Sequence, residues 1–174
     1  FREAYRQFLA EEIVPHMEEW REAGIVDRSA FRKAGEAGFL MVWPEEKYGG
    51  IGDNDFRFEQ VIMEETAYAR VGDWYNSLHS RLVGPYLTRF GSEEQCERFM
   101  PRCVSGECIL AVAMTEPDAG SDLAGMRTTA VEHDDYWLVN GQKTFISNGI
   151  NADLVILAAK TDPENNPHHM TLFL

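Results

Sequence analysis

The apolar residues of this chain change period near Gly106-Glu107, and that change restricts the fold more than any other feature. Before it, Phe1, Tyr5, Leu9, Ile13, Met17 and Trp20 recur at intervals of three or four, with Arg and Glu between them. That spacing lines one face of a helix. Asp27 is positioned to cap a second helix carrying Phe31 and Ala34 up to the Gly38-Phe39 break. Asp53 or Asp55 opens a third through Val61, Ile62, Glu65 and Ala69, and Asp73 a fourth through Leu78, Leu82 and Leu87. Ser92 with Gln95 has capping-box spacing, so a fifth helix carries Cys96 and Phe99 towards Pro101. The Gly and Pro residues between Trp43 and Gly52 predict an irregular turn.

Beyond residue 107 the apolar runs are short and separated by turn residues. Cys108 to Met114 reads as a buried strand, and Met126 to Glu132 leans towards β. Asp134-Asp135 makes a turn into the strand Tyr136 to Val139, which enters Asn140-Gly141, a dipeptide favoured in hairpin turns. Thr144 to Ser147 is expected to return as the partner strand, followed by a strand over Asp153 to Ala159 and another at Met170 to Leu174. The expected architecture is α+β and multidomain: an all-α domain over 1–107, then a truncated antiparallel β-barrel or sandwich over 108–174.

With 44% hydrophobic and 26% charged residues the 174-residue chain has the composition of a soluble globular protein. A net charge of −13 tells against nucleic acid as a partner. Cys96, Cys103 and Cys108 lack the paired spacing of a zinc site, and His168-His169 has no matching ligand cluster, so no metal is expected. Three free thiols point to a reducing compartment. No apolar run approaches the ~20 residues a membrane span needs, and the opening residues do not read as a secretory signal, so neither is expected. The chain opens on Phe1 and ends inside an apolar run, so it reads as a piece of a longer protein.

The chemistry concentrates in two segments. Ala111 to Gly125 is a strand-like apolar run feeding a loop of small, hydroxylated and turn-forming residues. There, backbone N–H groups and hydroxyls can approach a polar ligand, and Gly120, without a Cβ, leaves room. Asn140 to Gly149 adds an aromatic and another hydroxyl.

Thr115-Glu116-Pro117-Asp118-Ala119-Gly120-Ser121-Asp122 with Gly125 resembles the Thr-Glu-Pro-x-x-Gly-Ser-Asp signature of the acyl-CoA dehydrogenase family. Pro44, Gly49 and Gly50 are similar to that family's Pro-x-x-x-x-Gly-Gly turn. Phe90 to Gln95, Met100-Pro101 and Ser105-Gly106-Glu107 resemble the run that ends its N-terminal helical domain. The resemblance covers almost the whole chain and implies FAD held against a middle β-domain. It further implies oxidation of an acyl-CoA thioester to trans-2-enoyl-CoA, as in fatty-acid β-oxidation, with a hydride passing to flavin N5. Val112, Ala113, Met114, Thr115, Gly120 and Ser121 would then line the cofactor, with Thr115 at the pyrimidine edge and Ser121 also touching acyl-CoA. Phe145, Ile146 and Ser147 match the family's Trp-Ile-Thr, the ring against the flavin and the hydroxyl near N5.

Three positions depart from the family pattern. Phe145 keeps a ring face but lacks the indole donor, Ser147 keeps the hydroxyl of threonine, and Asp118 stands where many relatives have glycine and so should face solvent. The resemblance implies that the catalytic glutamate lies in a C-terminal helical domain absent from this chain, leaving no catalytic residue here and a fragment inactive alone. Glu116 is expected to orient its loop. Electrons would leave to an electron-transferring flavoprotein or a similar acceptor. The full-length protein would be a homodimer or homotetramer in a bacterial cytoplasm or mitochondrial matrix. Alternatives are an acyl-CoA oxidase or flavin monooxygenase of the same superfamily, a non-dehydrogenase flavin-fold binding protein, or a helical interaction module without cofactor.

Overall fold

The structure, a computed structural model, describes residues 1–162, 166 and 169–174; His168 lies outside the described residues. The chain divides into two compact units, Phe1–Leu110 with Ile150–Asp153, and Ala111–Gly149 with Leu154–Leu174.

In the first unit the opening apolar stripe forms one interrupted helical run. Helix α1 (Arg2–Phe8) passes into a widened π-type turn at Leu9–Ile13, a tight 3-10 turn at Val14–His16, and α2 (Met17–Ala23). Pro15 accounts for the interruption, because it has no N–H to donate and its ring crowds the carbonyl four residues back. The stripe survives from its second member on: Tyr5, Leu9, Ile13, Met17 and Trp20 are buried, with Phe8 beside them, whereas Phe1 at the chain's start is exposed. Helix α3 (Arg28–Glu36) is capped by Asp27, whose carboxylate accepts from Ser29 N–H at 2.7 Å. Helix α4 (Phe56–Tyr68) is capped by Asp55, which accepts from Arg57 N–H at 2.9 Å. Its buried Glu65 accepts from Arg2 (2.7 Å) and Arg6 (2.8 Å) of α1, and these guanidiniums, Arg6 foremost, hold the carboxyl at about 2.

The expected fourth helix departs from the structure at its start. Asp73 lies inside a short 3-10 turn and pairs with Arg21 at 2.8 Å, so its carboxylate is not a cap. The helical run begins at Asn76-Ser77, widens into a second π-type turn at Leu78–Val83 and continues as α5 (Gly84–Phe90). Widening the turn redirects its polar groups sideways. The Ser80 carbonyl accepts from Trp43 Nε1–H (2.8 Å), and its hydroxyl accepts from Met41 N–H (3.1 Å). Helix α6 (Glu93–Val104) carries the capping box at Ser92 and Gln95 and continues through Pro101. Gly106 follows with φ +76°, where a Cβ would lie 2.2 Å from the Phe31 carbonyl oxygen. Gly50 is required for a similar reason: a Cβ there would lie 2.1 Å from the Pro44 oxygen. Among the described residues no helix is long and apolar enough to cross a membrane.

The second unit is built on one five-stranded sheet: β1 (Leu110–Ala113), β2 (Thr129–Glu132), β3 (Trp137–Asn140), β4 (Leu154–Lys160) and β5 (Met170–Phe173). The order is β1-β4-β2-β3 with β5 also on β4. The helical unit followed by a sheet agrees with the class read from the sequence, but the sheet is mixed. β2 with β3 and β4 with β5 are antiparallel, whereas β2 and β4 run parallel. A parallel pair needs a long connection, and β2 is joined to β4 through β3 and the irregular residues 141–153.

Those residues also overturn the expected hairpin at Asn140-Gly141. The observed hairpin is β2–β3, closed by His133 N–H donating to the Tyr136 carbonyl at 2.9 Å, and residues 144–147 form no strand. Neither Asn140 nor Gly141 has the positive φ that a type I′ turn demands. Gly141 is needed for close approach instead: a Cβ there would lie 2.2 Å from Thr128 Oγ1.

His79 is fully buried in the first unit and satisfied at both ring nitrogens. Nδ1 accepts from the N–H of Leu110 at 3.1 Å, and Nε2–H donates to the Cys103 carbonyl at 3.0 Å. The accepting Nδ1 fixes the neutral tautomer. Burial pulls its pKa down to about 4, against a smaller upward pull from the Cys103 carbonyl. Between pH 6.5 and about 4 the unfolded chain therefore binds the proton that the folded one refuses, and stability falls as pH falls. The expected contribution is about 1.4 kcal/mol per pH unit inside that window. Denaturant unfolding of wild type and His79→Leu at several pH values isolates it. The variant should be at least about 2 kcal/mol less stable at neutral pH, because two buried backbone groups lose partners. The wild-type advantage should shrink towards pH 4; an advantage independent of pH would contradict the assignment.

Candidate functional site

Strand β1 carries Val112 and Ala113 to the edge of a loop, with Met114 and Thr115 following half-buried. The loop then closes on itself. Glu116 N–H donates to the Ala119 carbonyl (2.8 Å) and Ala119 N–H to the Glu116 carbonyl (3.2 Å), which puts Pro117 and Asp118 at the exposed corner. Pro and Asp suit a tight turn because the ring presets φ and the short carboxylate tolerates the bend. Asp118 faces solvent and pairs with exposed Arg127 at 3.0 Å. Gly120 and Ser121 are exposed beyond the turn. A Cβ at Gly120 would meet no atom within 4 Å, so the space beside it is open.

The Glu116 side chain points inward and is almost completely enclosed. Its carboxylate accepts from Arg127 N–H (2.6 Å), Thr128 N–H (3.0 Å) and Lys143 Nζ (2.8 Å). The Thr128 hydroxyl is close by and buried, but makes no hydrogen bond of good geometry. Burial by itself would push the carboxyl up; the Lys143 ammonium and the backbone donors outweigh it and bring the pKa to about 2. A carboxylate so occupied is a poor proton acceptor. It works as a hub for three stretches of chain.

Lys143 is the second half of that hub. Besides Glu116, its ammonium reaches the Met114 carbonyl at 3.1 Å. One residue on, Thr144 N–H donates to the Thr115 carbonyl at 3.0 Å. The loop after β1 and the segment before Phe145 are thus bound side by side, which joins Met114 and Thr115 to the Phe145-Ile146-Ser147 group. The orientation has a chemical consequence. In a planar trans peptide C=O and N–H point opposite ways, so anchoring the Met114 carbonyl on Lys143 aims the Thr115 N–H away from the clamp. What this stretch offers a ligand is a backbone donor and a hydroxyl.

Phe145 has φ +54° and is 91% exposed. A bulky residue in the left-handed region costs on the order of 1 kcal/mol and persists where its surroundings over-determine it. Ile146 and Ser147 are half-buried, and a tight turn follows, with Gly149 N–H on the Ile146 carbonyl at 2.9 Å and Asn148 at φ +61°. The site therefore combines an uncovered ring, inward-braced backbone and small hydroxyls. That suits a flat, acceptor-edged heteroaromatic, and the open space at Gly120 suits the remainder of such a ligand. Lys143 received no role in the sequence reading. The available signal was chemical: a glutamate at the end of a buried strand needs a cation, and Lys143 is the base in the companion segment.

The description "Acyl-CoA dehydrogenase, N-terminal domain" fits residues 1–107 in a family model, and "Acyl-CoA dehydrogenase, middle domain" fits residues 111–174. The long-chain specific acyl-CoA dehydrogenase, mitochondrial, of Mus musculus is 47% identical over 176 residues, spanning 100% of this chain and 41% of that protein. The crystal structure of an acyl-CoA dehydrogenase from Geobacillus kaustophilus superposes with a TM-score of 0.92 at 50% identity, over 99% of this chain and 46% of that one. A glutaryl-CoA dehydrogenase from Mycobacterium smegmatis, solved in complex with FADH2, gives 0.86 at 30% identity over 99% of this chain and 43% of that one. The chain spans less than half the length of these relatives, and within that span it belongs to the acyl-CoA dehydrogenase family.

Proposed function

We propose that the protein carrying this chain is an FAD-dependent acyl-CoA dehydrogenase, oxidising an acyl-CoA thioester to the trans-2-enoyl-CoA. The observation that carries the reading is Phe145: a bare aromatic ring held in a strained backbone, hydrogen-bonded through its neighbour Thr144 to the loop that bears Thr115. The FADH2 bound to a relative of the same fold supports the choice of cofactor. When bound, FAD supplies the hydride acceptor. The chain's own part is to receive and orient it.

The Thr115 N–H and hydroxyl address an acceptor edge, and such a donor stabilises negative charge that develops there by about 1.5–3 kcal/mol per hydrogen bond. The Phe145 ring covers one face and keeps water from it. Ser147, two residues on, is assigned the second hydroxyl of the cofactor site. Val112, Ala113, Met114 and Ile146 form the apolar floor, Gly120 leaves space, and exposed Ser121 is assigned to the acyl-CoA. Glu116 is not the base, because its carboxylate is committed to Lys143 and two backbone N–H groups. The proton-abstracting carboxylate comes from outside these two segments, and an electron-transferring flavoprotein takes up the electrons.

The purified protein should be yellow, and its flavin band should bleach on adding an acyl-CoA of suitable chain length, with turnover when an artificial electron acceptor is present. A colourless protein that rejects added FAD would overturn the reading. Phe145→Ala should weaken FAD binding about three- to tenfold, the loss expected for one aromatic stacking contact. Because the ring is exposed, stability of the apoprotein should change by no more than about 0.5 kcal/mol. Flavin titration and thermal unfolding of the same variant measure the two effects separately.

A further inference from the structure

We propose that Lys143 is a positioning residue for the cofactor site, and that with Glu116 it forms a charge-neutral clamp which both orients the Thr115 donor and fixes the electrostatic potential beneath the bound ring. The inference rests on FAD being the ligand. Lys143 and Glu116 are both enclosed and bond to the protein's own groups.

The geometry that points to it is the sharing of one ammonium. Lys143 Nζ reaches the Met114 carbonyl at 3.1 Å and the Glu116 carboxylate at 2.8 Å, with the two side chains 10% and 4% exposed. The carbonyl contact sets which way the Met114–Thr115 peptide faces. The carboxylate contact ties that peptide to Arg127 and Thr128 through their N–H groups. A lysine serves here because three donors on one small head can divide between two acceptors, whereas a planar guanidinium favours a two-oxygen carboxylate.

Charge balance follows from the same contacts. Among the described residues the charged side chain that pairs with the carboxylate is Lys143, and Arg127 meets it through its backbone N–H. The Arg127 side chain turns outward to Asp118 at 3.0 Å, so its charge is matched at the surface. Lys143 and Glu116 cancel each other inside. Removing Lys143 leaves a buried anion in the loop after β1, and removing Glu116 leaves a buried cation in the segment before Phe145. Reduced flavin carries added negative charge, so an unmatched cation favours reduction and an unmatched anion opposes it.

The test uses the protein carrying the whole chain, with FAD titration of the apoprotein and the midpoint potential of bound FAD as readouts. Lys143→Met should bind FAD at least about tenfold more weakly, as expected when an interaction with a charged group is lost and its peptide is released. Flavin still bound should have a lowered potential. Glu116→Gln is nearly isosteric and should fold; its bound flavin should have a raised potential. The Lys143→Met/Glu116→Gln pair together should return the potential towards wild type. Shifts of opposite sign are what a purely structural role does not produce. If Lys143→Met does not accumulate as folded protein, the Glu116→Gln potential decides alone: raised supports the clamp, unchanged or lowered overturns it. Wild-type protein that binds FAD while both single variants keep its affinity and potential would sink the clamp and leave the functional reading intact. Wild-type protein that binds no FAD would remove the functional reading itself.

Discussion

The second unit is organised by one ionised carboxylate out of contact with bulk water. Enclosing a carboxylate is costly unless its oxygens are matched, and Glu116 is matched by an ammonium and two peptide N–H groups drawn from separate stretches of chain. Those bonds, with the Thr144 N–H on the Thr115 carbonyl, hold the turn at 116–119, the start of β2 and the segment at 143–145 in their observed relation. Such a hub gives little net stability compared with an apolar replacement. It gives directionality, since hydrogen bonds have angles and apolar contacts do not. A site that must aim single N–H groups at a ligand benefits from that property.

The helical unit obtains its precision differently. Its core is aromatic, with Phe31 against Trp74 at 5.1 Å and Tyr5 edge-on to Phe39 at 5.1 Å. Polar tips are tied off internally: the Tyr5 hydroxyl meets Thr66 at 3.0 Å, and His79 bridges two main-chain groups. Glycines then allow backbone to touch backbone, as at Gly106 against Phe31. Large rings fix the spacing of the helices, and residues without side chains allow the few points of closest approach.

How much of this was legible follows from where the physics is local. The helix caps at Asp27, Asp55 and Ser92 are reported by short-range spacing, because a capping side chain bonds its own neighbours two or three residues on. Asp73 looks the same in sequence, but its partner is Arg21, which no local pattern discloses. Asn140-Gly141 was misleading for a related reason. Glycine serves both turns and close contacts, and only the fold reveals that Thr128 lies against it. The resemblance of the Thr115 and Phe145 segments to a known family drew attention to them without indicating what holds them together. Neither the left-handed Phe145 backbone nor the role of Lys143 is written in composition or period, since both arise from contacts between segments distant in the chain.

The widened turn at Leu78–Val83 has a consequence for how this region tolerates change in length. A π-type turn is a helix holding one surplus residue, and successive residues of an ordinary helix are offset by about 100°. Because the turn takes up that residue locally, deleting one position inside it would let the backbone relax to regular winding with the following residues close to their present faces, Leu87 inward and Phe90 outward. What would be lost is the displaced carbonyl that anchors the Trp43 indole. The same deletion in the regular winding of α5 would instead rotate all that follows by a full residue step, so tolerance of a lost residue is confined to the irregular stretch.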